Sequence, residues 1–275
     1  MPKVDMTPFS ETSRELYTDF NRLKAGRALA AACHSNGAVN ITGHGLGKDE
    51  ITEVLRWAKR IFNLPLEEKM QAAGPPGYLS HRGCSVLAEE RTRLGDQDLV
   101  NCLPLGQLEK TVSRMADFQE IYTIGSELDD QQRNTWLPDT VLPGFREYMD
   151  SLYEQLVGVA GIVLDAMAVG LTLEPGGTGA IHRLGSRWHC RLSFVHHRPV
   201  SEEAGDGHDW HATPLPEREG LGTFTLLLQD ELAEEAHNPD LGQVVHADTD
   251  EGALVLSVGH VLQRFTNDYF ISPRP

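Results

Sequence analysis

The sequence predicts an α+β fold with a sandwich or jelly-roll core braced by helices. Two observations carry this expectation. In the first half, apolar residues recur every three or four positions, the period of a helix with one buried side. After residue 185 the texture changes to alternating and β-branched runs, as in half-buried strands. Glycine and proline clusters punctuate both halves. The expected organisation is one domain over 1–275, mostly helical over 1–185 and built of core strands over 186–275.

The elements follow in chain order. Asp19 to Asn36 has helical spacing in Phe20, Leu23, Gly26, Ala30 and Cys33, and Gly37 ends it. Gly26 weakens this helix, since glycine costs about 1 kcal/mol against alanine in a helix interior. Ala38 to Ile41 is a short strand, and Gly43-His44-Gly45 is a turn. A second helix opens at Lys48 or Asp49, with Ile51, Val54, Leu55, Ala58, Ile61 and Phe62 as its apolar stripe. Leu64-Pro65 stops it, and Leu66 to Met70 starts a short helical piece. Ala73 to Gly77 is loop, and 78–135 is polar with few regular signals. A long helix runs from about Gly144 to Leu171, its buried side marked by Phe145, Met149, Leu152, Leu156, Val159, Ile162, Val163 and Met167. Strands are expected over 191–197, 222–229, 243–246 and 253–258.

Composition narrows the function. The chain has 275 residues, 40% hydrophobic and 23% charged, which is ordinary for a globular protein. Its net charge of −16 argues against nucleic acid and anionic membrane as partners, because like charges repel. No uninterrupted apolar run reaches bilayer length, and Met1 to Asp5 lacks a signal-peptide pattern, so the expected location is cytoplasmic. Cys33, Cys84, Cys102 and Cys190 are scattered and read as reduced thiols.

Several blocks, in order, resemble one family. They are Cys33 to Val39 with Gly43-His44-Gly45, Phe62 to Lys69, His81 to Ser85, Glu120 to Gly125, Leu142 to Arg146, Thr223 to Asp230 and Glu251 to Asp268. Together they resemble the iron(II)/2-oxoglutarate-dependent oxygenases of the isopenicillin N synthase-like type. The resemblance implies a distorted double-stranded β-helix, a jelly-roll core braced by N-terminal and central helices. It also implies a pocket where two histidines and a carboxylate hold iron beside 2-oxoglutarate. The first histidine and the acid come as H-x-D, and here His211-Ala212-Thr213 stands in that place. Thr213 offers a neutral hydroxyl, a poor ligand for Fe(II). The second histidine would follow about eight residues after Asn267, where Pro275 stands.

From these departures the expected cofactor complement is none, with Fe(II) and 2-oxoglutarate as the alternative. If a metal binds, His211 with His208 or Asp209 would hold it. His246-Ala247-Asp248 also matches H-x-D but reads as a surface connection, and His260 as a turn residue. His189, Arg191, Ser193 and His197 share one face of a strand, which is either solvent-facing or pocket lining. The expected catalytic residues are therefore His211, His208, His189, His197 and Arg191. The expected substrate contacts are Thr213, Ser193, Phe224, Arg264 and Tyr78.

The expected activity is an iron-independent cyclisation, isomerisation, dehydration or pericyclic step on a small molecule. Its alternatives are an iron/2-oxoglutarate oxidoreductase with atypical ligands, and an inactive small-molecule-binding or regulatory protein. A homodimer is expected to cover the open sheet edge, since bare edges invite pairing.

Overall fold

In a computed structural model, the described residues are 1–10, 18–73, 82–85, 119–129, 132–173, 190–197, 222–229, 235–238, 243–246 and 252–273. Their contacts group the chain into two compact units. One comprises Met1–Glu53, Gln155–Ser186 and Asp209–Pro275; the other comprises Val54–Glu154 and Arg187–His208.

The first unit is organised on a four-stranded sheet. In chain order its strands are β1 (Lys3–Asp5), β2 (Ala38–Thr42), β6 (Phe224–Leu227) and β9 (Leu254–Val258). Their spatial order is β1-β2-β9-β6. β1 runs parallel to β2, while β9 is antiparallel to both β2 and β6. β2 is buried on both faces over Ala38 to Ile41, which explains its near-continuous apolar run. β1 is missed by sequence patterning because its three residues alternate only once. Helix α1 (Asp19–Ser35) is capped by Thr18, whose side chain accepts from the Asn21 amide. Gly37, with φ of +68°, turns the chain from α1 into β2. Leu29, Cys33, Val39, Ile41, Leu256 and Phe270 lie in the core of this unit, joined by Val163 and Met167 of the long helix α4 (Phe145–Gly170).

Gly26 of α1 has a packing reason. A Cβ there would come within 2.8 Å of the Ala166 carbonyl oxygen and 3.0 Å of the Gly170 amide. The glycine that lowers helix propensity is the one that lets the α1 and α4 backbones approach. Phe20, expected on the buried side, is instead 73% exposed in the first turn. The unit also contains the hairpin β7 (Glu235–Asn238) and β8 (Gln243–His246), and the short helix α5 (His260–Phe265). His260 therefore opens a helix rather than standing in a turn.

The second unit is built on the antiparallel sheet β3 (Gly83–Ser85), β4 (Gln119–Gly125) and β5 (Arg191–His197). β4 falls in the stretch whose sequence gave few regular signals. One of its faces carries the buried Glu120, Tyr122 and Ile124, and the charged member of that row masks the apolar alternation. Glu120 is tolerated there because Lys69 Nζ donates to its carboxylate at 2.9 Å, both side chains being almost fully buried. Lys69 ends α3 (Leu66–Lys69). Trp57 of α2 (Lys48–Phe62) stacks on Tyr148 and packs against Phe145, which meets Tyr122 edge to face.

By length and composition α4 could cross a membrane, unlike the expectation from apolar runs. Phe145, Met149, Val163, Ala166 and Met167 are buried in protein, while Leu156, Val157, Ile162 and Val169 are half-buried. The described sheets and helices agree with a mixed α+β class.

Candidate functional site

Strand register sorts the residues of β3, β4 and β5 between two faces, because directly paired residues share a face. Cys84, Tyr122 and Phe194 pair across the sheet and are all buried. His196 lies on that packed face and stacks on Phe62 at 5.2 Å. Gly83, Thr123 and Ser193 pair on the opposite face, followed by Gly125 with Arg191. Around Gly125 this second face is polar, and farther along it carries the apolar pair Ile121 and Val195. Thr123 Oγ1 and Ser193 Oγ lie 2.9 Å apart in a hydroxyl pair. Thr123 is buried, whereas Ser193 and Arg191 are exposed.

Gly125 shapes this face. A Cβ on Gly125 would overlap the guanidinium of Arg82, so the arginine lies where that side chain would project. Asn134 fixes the glycine from both sides: its Oδ1 accepts from the Gly125 amide and its Nδ2 donates to the Gly125 carbonyl, each at 2.8 Å. Arg82 Nη2 donates to Asp129 Oδ2 at 3.3 Å. The Arg82 side chain is only 3% exposed, yet its Nε and Nη1 have no partner among the described residues. Sequence reasoning missed Arg82 and Thr123. The signals were present: Arg82 lies in a block that carries the family likeness, and Thr123 alternates with buried Tyr122 and Ile124.

The expected site residues divide by place. Arg191 and Ser193 stand together on the polar face, and His197 pairs with Gln119 at the far end of β5. Phe224 pairs with Val258 in the other sheet and packs, half-buried, against Leu164 and Ala168 of α4. Arg264 is exposed in the last turn of α5. Tyr78, His189, His208, Asp209, His211 and Thr213 lie outside the described residues. Among the described residues, no three His, Cys, Asp or Glu side chains converge to hold a metal ion. Two of the described thiols are poor nucleophiles: burial pushes Cys33 up to about 12 and raises Cys190.

Residues 1–140 match a family model described as the N-terminal region of the non-haem dioxygenase in morphine synthesis. The chain is 29% identical over 276 residues to the 2-oxoglutarate-dependent dioxygenase ecdK of Aspergillus rugulosus, covering 96% of this chain and 76% of that one. It is 30% identical over 270 residues to the proline hydroxylase buaE of Petromyces alliaceus, covering 94% and 77%. The chain belongs to the 2-oxoglutarate-dependent dioxygenase family. The fold is shared with full-length Neurospora crassa T7H solved in complex with alpha-KG, at a TM-score of 0.77 and 22% identity, covering 99% of this dioxygenase and 77% of that chain.

These findings correct the expected cofactor complement. Absence of a cofactor was inferred from Thr213 and from the position of Pro275. The dioxygenase's relatives are named for their dependence on 2-oxoglutarate, and the structural neighbour is described with alpha-KG bound. Iron-independent chemistry therefore loses its support, and the oxidoreductase alternative fits better.

Proposed function

We propose that this dioxygenase oxidises a small organic molecule of the secondary-metabolite class, using Fe(II), 2-oxoglutarate and oxygen. The observation that carries the reading is identity of 29–30% sustained over 94–96% of the chain to enzymes of that type, one named as a proline hydroxylase. In this reading the sheets belong to a distorted double-stranded β-helix, and a homodimer covering its open sheet edge is part of it. A monomer by light scattering at micromolar concentration would remove the dimer.

His211 would supply an imidazole to iron, with Asp209 or His208 beside it, because Thr213 lacks the charge of a carboxylate. When bound, the metal and 2-oxoglutarate supply a two-electron oxidation by oxygen, with succinate and carbon dioxide as co-products. The chain's own residues hold and orient the substrate. Ser193 and Arg191 offer donors on an exposed strand face, a rigid platform for fixing one reacting carbon.

Anaerobic Fe(II) loading followed by 2-oxoglutarate titration tests the reading through the visible charge-transfer band. Admission of oxygen should then yield succinate, and His211→Ala should abolish both signals. Protein that binds neither iron nor 2-oxoglutarate and forms no succinate would sink it, leaving a binding role.

A further inference from the structure

We propose that the polar face of the β3–β4–β5 sheet anchors a carboxylate group of the substrate, with Arg82 as its buried donor. The proposal rests on the small-molecule reading above and names the chemical class that site takes. Arg82 carries it. A guanidinium has five N–H donors, and burial without partners is costly for each. Here Nη2 meets Asp129 at 3.3 Å, while Nε and Nη1 meet no acceptor among the described residues at 3% exposure. Native structures seldom leave buried charged donors in this state, and a missing acceptor is a physical explanation.

The surroundings select the acceptor. Gly125 leaves the space in which the guanidinium lies, and Asn134 holds that glycine in place. The same face carries the Thr123–Ser193 hydroxyl pair, and Arg191 stands directly opposite Gly125. Among the described residues Asp129 pairs with Arg82, while Glu127, which accepts from Asn134, pairs with Arg146, so Arg191 stands opposite Gly125 with no ion pair of its own. A single positive charge with neighbouring hydroxyl donors matches a monoanionic carboxylate, which accepts several hydrogen bonds at once. Arg82 would bind it from beneath, while Arg191 and Ser193 close on it from the exposed side.

The test follows the arginine Nε–Hε signals of the full-length protein by nitrogen-15 NMR, with sodium acetate as probe and sodium chloride at matched ionic strength as control. Arg82→Lys and Arg191→Lys assign the signals. Acetate should shift the Arg82 signal saturably and chloride should not. The exposed pair Arg191→Gln and Ser193→Ala, which leaves the buried ion pair intact, should together weaken acetate binding about tenfold. That arm stays readable even if Arg82 variants do not fold. A linear response, an equal response to chloride, or unchanged affinity in the exposed pair overturns the proposal. So does an Arg82 response to 2-oxoglutarate that appears only in Zn(II)-loaded protein, since the site would then belong to the co-substrate. No turnover is required, so loss of the iron-dependent reading would register separately in the succinate assay.

Discussion

Two backbone contacts fix the protonation of His44. Its Nε2 donates to the Gly252 carbonyl at 2.9 Å, and its Nδ1 accepts from the Leu46 amide at 3.3 Å. Burial disfavours a charged ring and outweighs the bond to the Gly252 carbonyl, which favours it, so the pKa falls below 6.5. The sign follows from linkage. Below pH 6.5 the unfolded chain takes up a proton that the folded chain refuses. Stability from this group is therefore full above pH 6.5 and declines as pH falls toward the depressed folded value. Its steepest contribution is about 1.4 kcal/mol per pH unit. Urea unfolding of wild type and His44→Gln at pH 7 and pH 5.5 should show a shallower pH dependence in the variant. Parallel curves would mean His44 titrates normally. Gly125 makes a second test at this scale. Gly125→Ala should displace the Arg82 guanidinium and strain its bond to Asp129, costing about 1–3 kcal/mol in the urea midpoint.

Helix packing explains a glycine that propensity alone counts as a defect. A Cβ on Gly170 would collide with the Gly26 carbonyl, a backbone atom that cannot rotate away. Gly170→Ala gains about 1 kcal/mol of helix propensity but overpacks the α1–α4 contact at a cost of about 1–3 kcal/mol or more. The collision wins, so the variant should unfold at lower urea; a stabilised variant would show that the helices can separate freely. Periodicity read α1, α2 and α4 well because each buries one continuous stripe. It missed β4, whose inward row includes Glu120, legible as a core residue only once Lys69 is placed beside it. Lys69→Met should therefore cost about 3–5 kcal/mol, because it removes the cation paired with a buried carboxylate. Lys69→Met with Glu120→Leu should recover much of that loss; no recovery would show that the pair's packing, not its charge, matters.

At the scale of the whole molecule, family blocks in order outweighed single departures from a ligand motif. Thr213 was legible as a substitution, but one position says little about which groups converge in space. Alternation puts Arg191 and Ser193 on one face of β5, though Val195 shares it, whereas Arg82 joins them only through the Gly125 gap, a tertiary feature with no sequence period. The proposed dependence on Fe(II) and 2-oxoglutarate makes a prediction at this scale that needs no substrate. Ligands that bind only the folded chain stabilise it by mass action, by about 2.7 kcal/mol when present at a hundred times their dissociation constant. Thermal unfolding under anaerobic conditions should therefore shift upward with Fe(II) and again with 2-oxoglutarate. A chelator should reverse both shifts, and His211→Ala should remove both. 2-Oxoglutarate without metal should do much less, since in the proposed site it binds beside the metal. Equal shifts with and without metal would place 2-oxoglutarate on a basic patch such as the Arg82 face instead, and the iron-dependent reading would fail at its first requirement.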